Sequence, residues 1–200
     1  MSPSASSMAS SAAVQVADPA IAAQQLLAEY DETYSLGDIP PVPVADIAES
    51  LLMLDIVEED EIRALPGAPA DCGPLSGLLT TADQTIWVDR GEAQRSPERK
   101  RFTVAHEVGH WVLHARRGEA KTYEEACAPD DIREDGGSRE REREANAFAN
   151  ELIMPEAIIS MLAPELGCNL ALLAERFEVS VRALELRLIR LDLLPSWMRS

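Results

Sequence analysis

The segment "FTVAHEVGHWVLHARR", residues 102–117, carries all three histidines of the chain, at positions 106, 110 and 114. On a helix, residues four apart share a face, with Cβ atoms about 5–6 Å apart, so His106 and His110 can aim ring nitrogens at one metal ion. Glu107 lies beside the first histidine and slightly round the helix. There it can hold a water next to the ion and take its proton, as the general base of a hydrolase. His106-Glu107-Val108-Gly109-His110 therefore reads as HExxH, with Gly109 leaving clearance for a close backbone neighbour. His114 extends the stripe but stands about 12 Å along the axis from His106, at about 1.5 Å per residue. It either hydrogen-bonds a substrate or transition state, or it caps the core.

A third metal ligand must come from another segment, because position 116, where a longer metal-binding motif would place a third histidine, is Arg116. The run "REREREANAFANELIM", residues 139–154, offers Glu140, Glu142, Glu144 and Glu151. Its apolar stripe is Ala145, Phe148, Ala149 and Leu152. Glu144 borders that stripe, whereas Glu140 and Glu142 alternate with Arg139, Arg141 and Arg143 on a face that reads as solvated. Glu144 is thus the expected ligand, and small residues at 145, 147 and 149 would let its helix approach closely. Two histidines and a carboxylate suit zinc by ligand softness and also admit manganese or iron.

The elements that must hold these residues are legible in outline. Asp18 followed by Pro19 caps a helix running to about Tyr34, and "VADIAESLLML" reads as a second helix leading into a strand "LDIVEE". "LSGLLTT" and "TIWVD" form a hairpin, in which Ser76, Gly77 and Leu78 could pair with an extended substrate strand. Ser96 and Pro97 open the histidine helix, expected to reach about Arg117. Residues 118–139 are acidic and without period, and read as an excursion covering the cleft. The helix over 139–154 stops at Pro155, and three short helices follow. The expected organisation is a disordered Ser/Ala-rich tail over 1–17, a core over 18–155 and a C-terminal helical subdomain over 156–200.

A formal net charge of −17 repels phosphate backbones and anionic lipid, so no direct nucleic-acid binding and no membrane association are expected. Cys72, Cys127 and Cys168 show no metal or disulfide spacing and fit reduced thiols. With no secretory pattern at the N-terminus, the chain reads as cytoplasmic. His114 and Tyr123 are candidates, on reach and chemistry, for a donor to the transition-state oxyanion.

"RFTVAHEVGHWVLH", then "EREANAFANELIMP", then "LAERFEVSVRALELRL" together resemble the ImmA/IrrE family of metallo-endopeptidases, over about residues 40–194. The resemblance implies an α+β, zincin-like fold: a small β-sheet or hairpin packed on the HExxH helix, and C-terminal helices like a helix-turn-helix. It implies a zinc cofactor held by His106, His110 and Glu144, with Glu107 as general base. It also implies site-specific cleavage of a helix-turn-helix transcriptional repressor as the partner substrate, relieving silencing. The alternative reading is a non-catalytic regulator acting on a DNA-binding partner, or on DNA through the C-terminal helices. There, however, Arg182, Arg187 and Arg190 are mixed with Glu185 and Asp192, without the positive excess of groove-reading modules.

Overall fold

In the computed structural model, which describes residues 18–37, 40–66, 68, 75–117, 136–167 and 169–194, helix α1 (Pro19–Tyr34) starts where its cap residue places it. The Asp18 carboxylate accepts from the N–H groups of Ala20 and Ile21, covering donors that every helix start leaves unpaired, and Pro19 has no N–H to lose. A short turn α2 (Val44–Asp46) runs on into one π-helical turn, Ile47–Leu51, and then β1 (Asp55–Glu59). Strands β2 (Gly77–Thr80) and β3 (Thr85–Asp89) form the expected antiparallel hairpin. β1 adds to β3 in parallel, so the mixed sheet has the order β1-β3-β2 and β2 is an edge.

Alternation along the hairpin sorts its side chains onto two faces. Leu79, Ile86 and Val88 enter the main core, while Leu78 packs with Ile62 and Leu75 in a small cluster on the other face, with Trp87 against it. Asp89 then caps a six-residue helix, α3 (Arg90–Arg95), by accepting from Glu92 N–H. Ser96 caps α4 (Pro97–Leu113) by accepting from Arg99 N–H, and the last turn is a 3-10 piece at Ala115–Arg117. Helix α5 (Gly136–Ile153) lies across α4 and is followed by α6 (Glu156–Glu165), α7 (Leu170–Phe177) and α8 (Val181–Arg190). α1 packs on α5 and also touches α4.

One apolar cluster runs from Ala22 in α1 through Val104 and Val108 in α4, Phe148 and Leu152 in α5, to Phe177, Leu184 and Leu194 at the C-terminal side. The architecture is the helix-rich α+β arrangement expected from the sequence, with a small sheet against the HExxH helix and a C-terminal helix pair joined by a tight turn. Among the described residues, no helix is long and apolar enough to cross a membrane. The N-terminal tail, Tyr123 with most of the acidic excursion, and the three cysteines lie outside the described residues.

Candidate metal centre and cleft

His106, Glu107 and His110 are almost wholly buried, on the stretch of α4 wedged between β2 and α5. What lets α5 come so close is Gly109. A Cβ there would stand 3.1 Å from Phe148 Cδ1 and 3.2 Å from both Cα and O of Ala145. The two helices therefore cross backbone to backbone at Gly109 and Ala145, and a side chain on α5 can reach the histidine pair.

The carboxylate that arrives is Glu142. Nε2 of His106 and Nε2 of His110 are 2.9 Å apart, and the Glu142 oxygens lie 3.2 Å from the first and 3.1 Å from the second. Among the described residues, His106, His110 and Glu142 form the one group of three able to share an ion. Four-coordinate zinc with bonds of about 2.0–2.2 Å separates its ligand atoms by about 3.3–3.6 Å, and the two imidazole nitrogens, each facing a different oxygen of the Glu142 carboxylate, are already close to that spacing. Two imidazole nitrogens facing each other can share at most one hydrogen, and a carboxylate beside them supplies only acceptors. The donor set fits a divalent cation.

Glu144, the carboxylate expected from the sequence, is not in that group. Its Oε2 lies 3.6 Å from Nε2 of His114, one turn further along α4. The reason is helical period. At about 100° per residue, Glu142 and Glu144 stand about 200° apart, so they border the apolar stripe from opposite sides and only one can face the histidines. By the same arithmetic Glu140 and Glu142 cannot share a solvated face, and only Glu140 of those two is exposed. Glu151, the remaining candidate, is buried elsewhere: it pairs with Arg187 and accepts from Gln24 Nε2 at 3.0 Å and Glu156 N–H at 3.2 Å.

Electrostatics follow from this packing. Burial alone would lower the pKa of His106, but the Glu142 carboxylate, with Glu107 and Asn146 adding to it, raises it above the ordinary value. His110, fully enclosed and beside the other histidines, is pushed down to about 4. Burial works to raise Glu142, yet its hydrogen bonds to His106 and His110 dominate and hold it at about 2. Asn146, a further residue missed by sequence reading, stands one turn on from Glu142 on the same helix face. That spacing was its signal.

Glu107 points the other way, toward β2. A Cβ on Gly77 would stand 3.0 Å from Glu107 Oε1 and 2.4 Å from Thr103 Cγ2, so only glycine allows the strand to lie this close to α4. Asp89 N–H donates to the Ser76 carbonyl, and alternation of antiparallel pairs then turns the peptide groups of Ser76 and Leu78 inward to β3 and those of Gly77 and Leu79 toward the outer edge. Of the three residues expected to pair with a substrate strand, Gly77 alone has that orientation, and Leu79 joins it. His114 is buried beside Glu144.

A cleft of about 560 Å³ opens directly from His106 and Glu142, past Thr103, toward the turn between α7 and α8. A second, of about 710 Å³ and lined largely by charged side chains, begins across Ser76 and Arg99.

Residues 85–189 match the Peptidase_M78 family, described as the IrrE N-terminal-like domain, so the match spans more than half of the chain. The chain belongs to this family of peptidases. No curated protein matches it in sequence. Among solved structures, a Mycobacterium tuberculosis transcriptional regulator is similar in fold, with a TM-score of 0.56 and 18% identity. The likeness covers 86% of this chain and 47% of that one, so the chain spans about half the length of that regulator.

Proposed function

We propose that the chain is a metal-dependent endopeptidase of the zinc type. The observation that carries this reading is the convergence of His106, His110 and Glu142 at 2.9–3.2 Å, with the Glu107 carboxyl buried on the next position of the same helix. A divalent ion held by those three side chains supplies Lewis-acid polarisation of a peptide carbonyl and acidifies water. Glu107 takes the proton of the attacking water and returns it to the leaving amine. The outer edge of β2, through Gly77 and Leu79, is suited to pair with the substrate backbone and hold it extended beside Glu107. His114, braced by Glu144, orders the far end of α4.

The substrate we assign is a protein, a helix-turn-helix repressor, cut at one main bond. A basic DNA-binding partner complements the −17 charge. The arrangement of α8 supports a protein partner over DNA, because Arg187 is buried against Glu151 and Met154 O, and Arg182 pairs with Glu185. The test is zinc-loaded wild type against Glu107→Gln, each mixed with the repressor on its operator. Wild type should cut the repressor and free the DNA; Glu107→Gln should bind zinc and partner and leave the repressor on DNA. Equal DNA release by the inactive variant would replace proteolysis by displacement.

A further inference from the structure

The cleft that opens from His106 and Glu142 has a wall that the family's metal motif does not include. Its far side is built by the α7–α8 turn, through Val179, Ser180 and Ala183, facing Phe102 of α4 and Ile153 of α5. That turn is held firmly for a segment between two helices. Glu178 adopts the left-handed conformation (φ 51°, ψ 51°), Val179 N–H donates to Ala174 O at 3.0 Å, and Glu178 N–H donates to Glu175 O at 3.2 Å. These bonds close α7 in the Schellman manner and turn the Val179 side chain, 7% exposed, inward. Ser180 then caps α8, its Oγ accepting from Ala183 N–H at 3.1 Å. The wall is preorganised at both ends.

The lining of the cleft is mixed. Glu98, His106, Glu142 and Arg99, which pairs with Glu92 and reaches Ser76 Oγ, bring titratable groups to it. Phe102, Ile153, Val179 and Ala183 are its apolar members, with Asn146 and Ser180 as neutral polar groups beside them. A volume of about 560 Å³ is within the range of sites that enclose a ligand group, and the apolar side chains of the lining disfavour a charged side chain by the cost of desolvating it. We propose that this cleft is the substrate side-chain pocket next to the scissile bond, that it takes a large apolar residue, and that Val179 and Ala183 set which one. The inference rests on the peptidase reading for the words "scissile bond", but the pocket's preference can be measured without cleavage.

The experiment titrates the methyl-labelled full chain with N-acetyl-leucinamide, N-acetyl-phenylalaninamide and N-acetyl-serinamide and reads the methyl signals of Ile153, Val179 and Ala183 by NMR. The leucine and phenylalanine probes should shift all three and the serine probe none. Ala183→Leu, which fills the pocket, should weaken the phenylalanine probe at least tenfold. Val179→Ala, which enlarges it, should raise the preference for phenylalanine over leucine at least threefold. Equal response to the serine probe, shifts confined to other methyls, or unchanged binding by both variants would overturn the proposal. A parallel digest of a randomised peptide mixture, read by mass spectrometry, keeps the two readings apart. Apolar binding with no cleavage removes the peptidase reading and leaves the pocket. Cleavage with no preference for an apolar neighbour, and no probe binding, removes the pocket and leaves the peptidase.

Discussion

Glu142 contacts Nε2 of both His106 and His110, so its loss opens a metal position, while Glu107→Gln leaves all three donor side chains in place. Glu142→Ala should therefore lower zinc content in the purified protein at least tenfold; Glu144→Ala should retain it and Glu107→Gln should retain it without proteolysis. Metal analysis by mass spectrometry decides the assignment, and zinc loss in Glu144→Ala with retention in Glu142→Ala would reverse it. Proton release gives a second check. At pH 6.5 His106, raised above its ordinary value, is more than half protonated before metal binds, whereas His110 at about 4 is already neutral and Glu142 at about 2 already ionised. Zinc binding at that pH should release between half a proton and one proton, and affinity should fall as pH drops through the His106 range. Calorimetry in two buffers of different ionisation enthalpy measures the number; a release near two would assign protons to both histidines. The histidine pair was legible because its spacing is local to one helix. The carboxylate that joins them was not, because Glu142 and Glu144 flank the same stripe and only the packing of α5 on α4 decides which flank meets the histidines.

At the scale of elements, the crossing of α4 and α5 at Gly109 and Ala145 sets the site. Gly109→Ala removes a glycine from a helix interior, which alone favours the helix by about 1 kcal/mol. The new Cβ, however, meets Phe148 and the Ala145 backbone at 3.1–3.2 Å, and prying α5 from α4 costs about 1–3 kcal/mol. The variant should thus be neutral to destabilised by about 2 kcal/mol, with zinc affinity reduced more than stability, as read by urea unfolding beside a competitive zinc titration. Unchanged zinc affinity would show that the crossing does not position Glu142. Gly77→Ala should act on the other side, since its Cβ would overlap Thr103 Cγ2, and should lower turnover with zinc retained. Helix starts were readable at Asp18 and Ser96, where a capping side chain is followed by proline and a periodic run. The hairpin was readable from alternation. The parallel pairing of β1 with β3 was not, because pattern shows which face a strand buries and not which neighbour lies beside it, and the short α3 is too brief to display a period.

At the scale of the whole molecule, Glu151 joins segments far apart in the chain. It accepts from Gln24 of α1 and from the N–H of Glu156 at the start of α6, and it pairs with Arg187 of α8, which also donates to Met154 O at 3.1 Å. Glu151 is 1% exposed and Arg187 9%, so this is a buried ion pair between α5, which carries Glu142, and the C-terminal helices that wall the cleft. Removing one partner leaves a charge without its counterion, at a cost of about 3–5 kcal/mol, whereas replacing both with apolar residues of similar volume is often neutral or stabilising. Arg187→Met and Glu151→Leu should each lower the urea midpoint sharply, and the double variant should recover most of the loss. The stability of the double variant alone does not separate a fastener from a cleft-shaping contact, so the pocket probes are read on it as well. If the pair serves to fix the α7–α8 wall, the double variant should unfold near the wild-type midpoint yet bind N-acetyl-phenylalaninamide more weakly. Wild-type binding in the double variant would mean that the apolar cluster of Phe177, Leu184 and Leu188 holds the wall by itself, and that Glu151 and Arg187 act on stability alone.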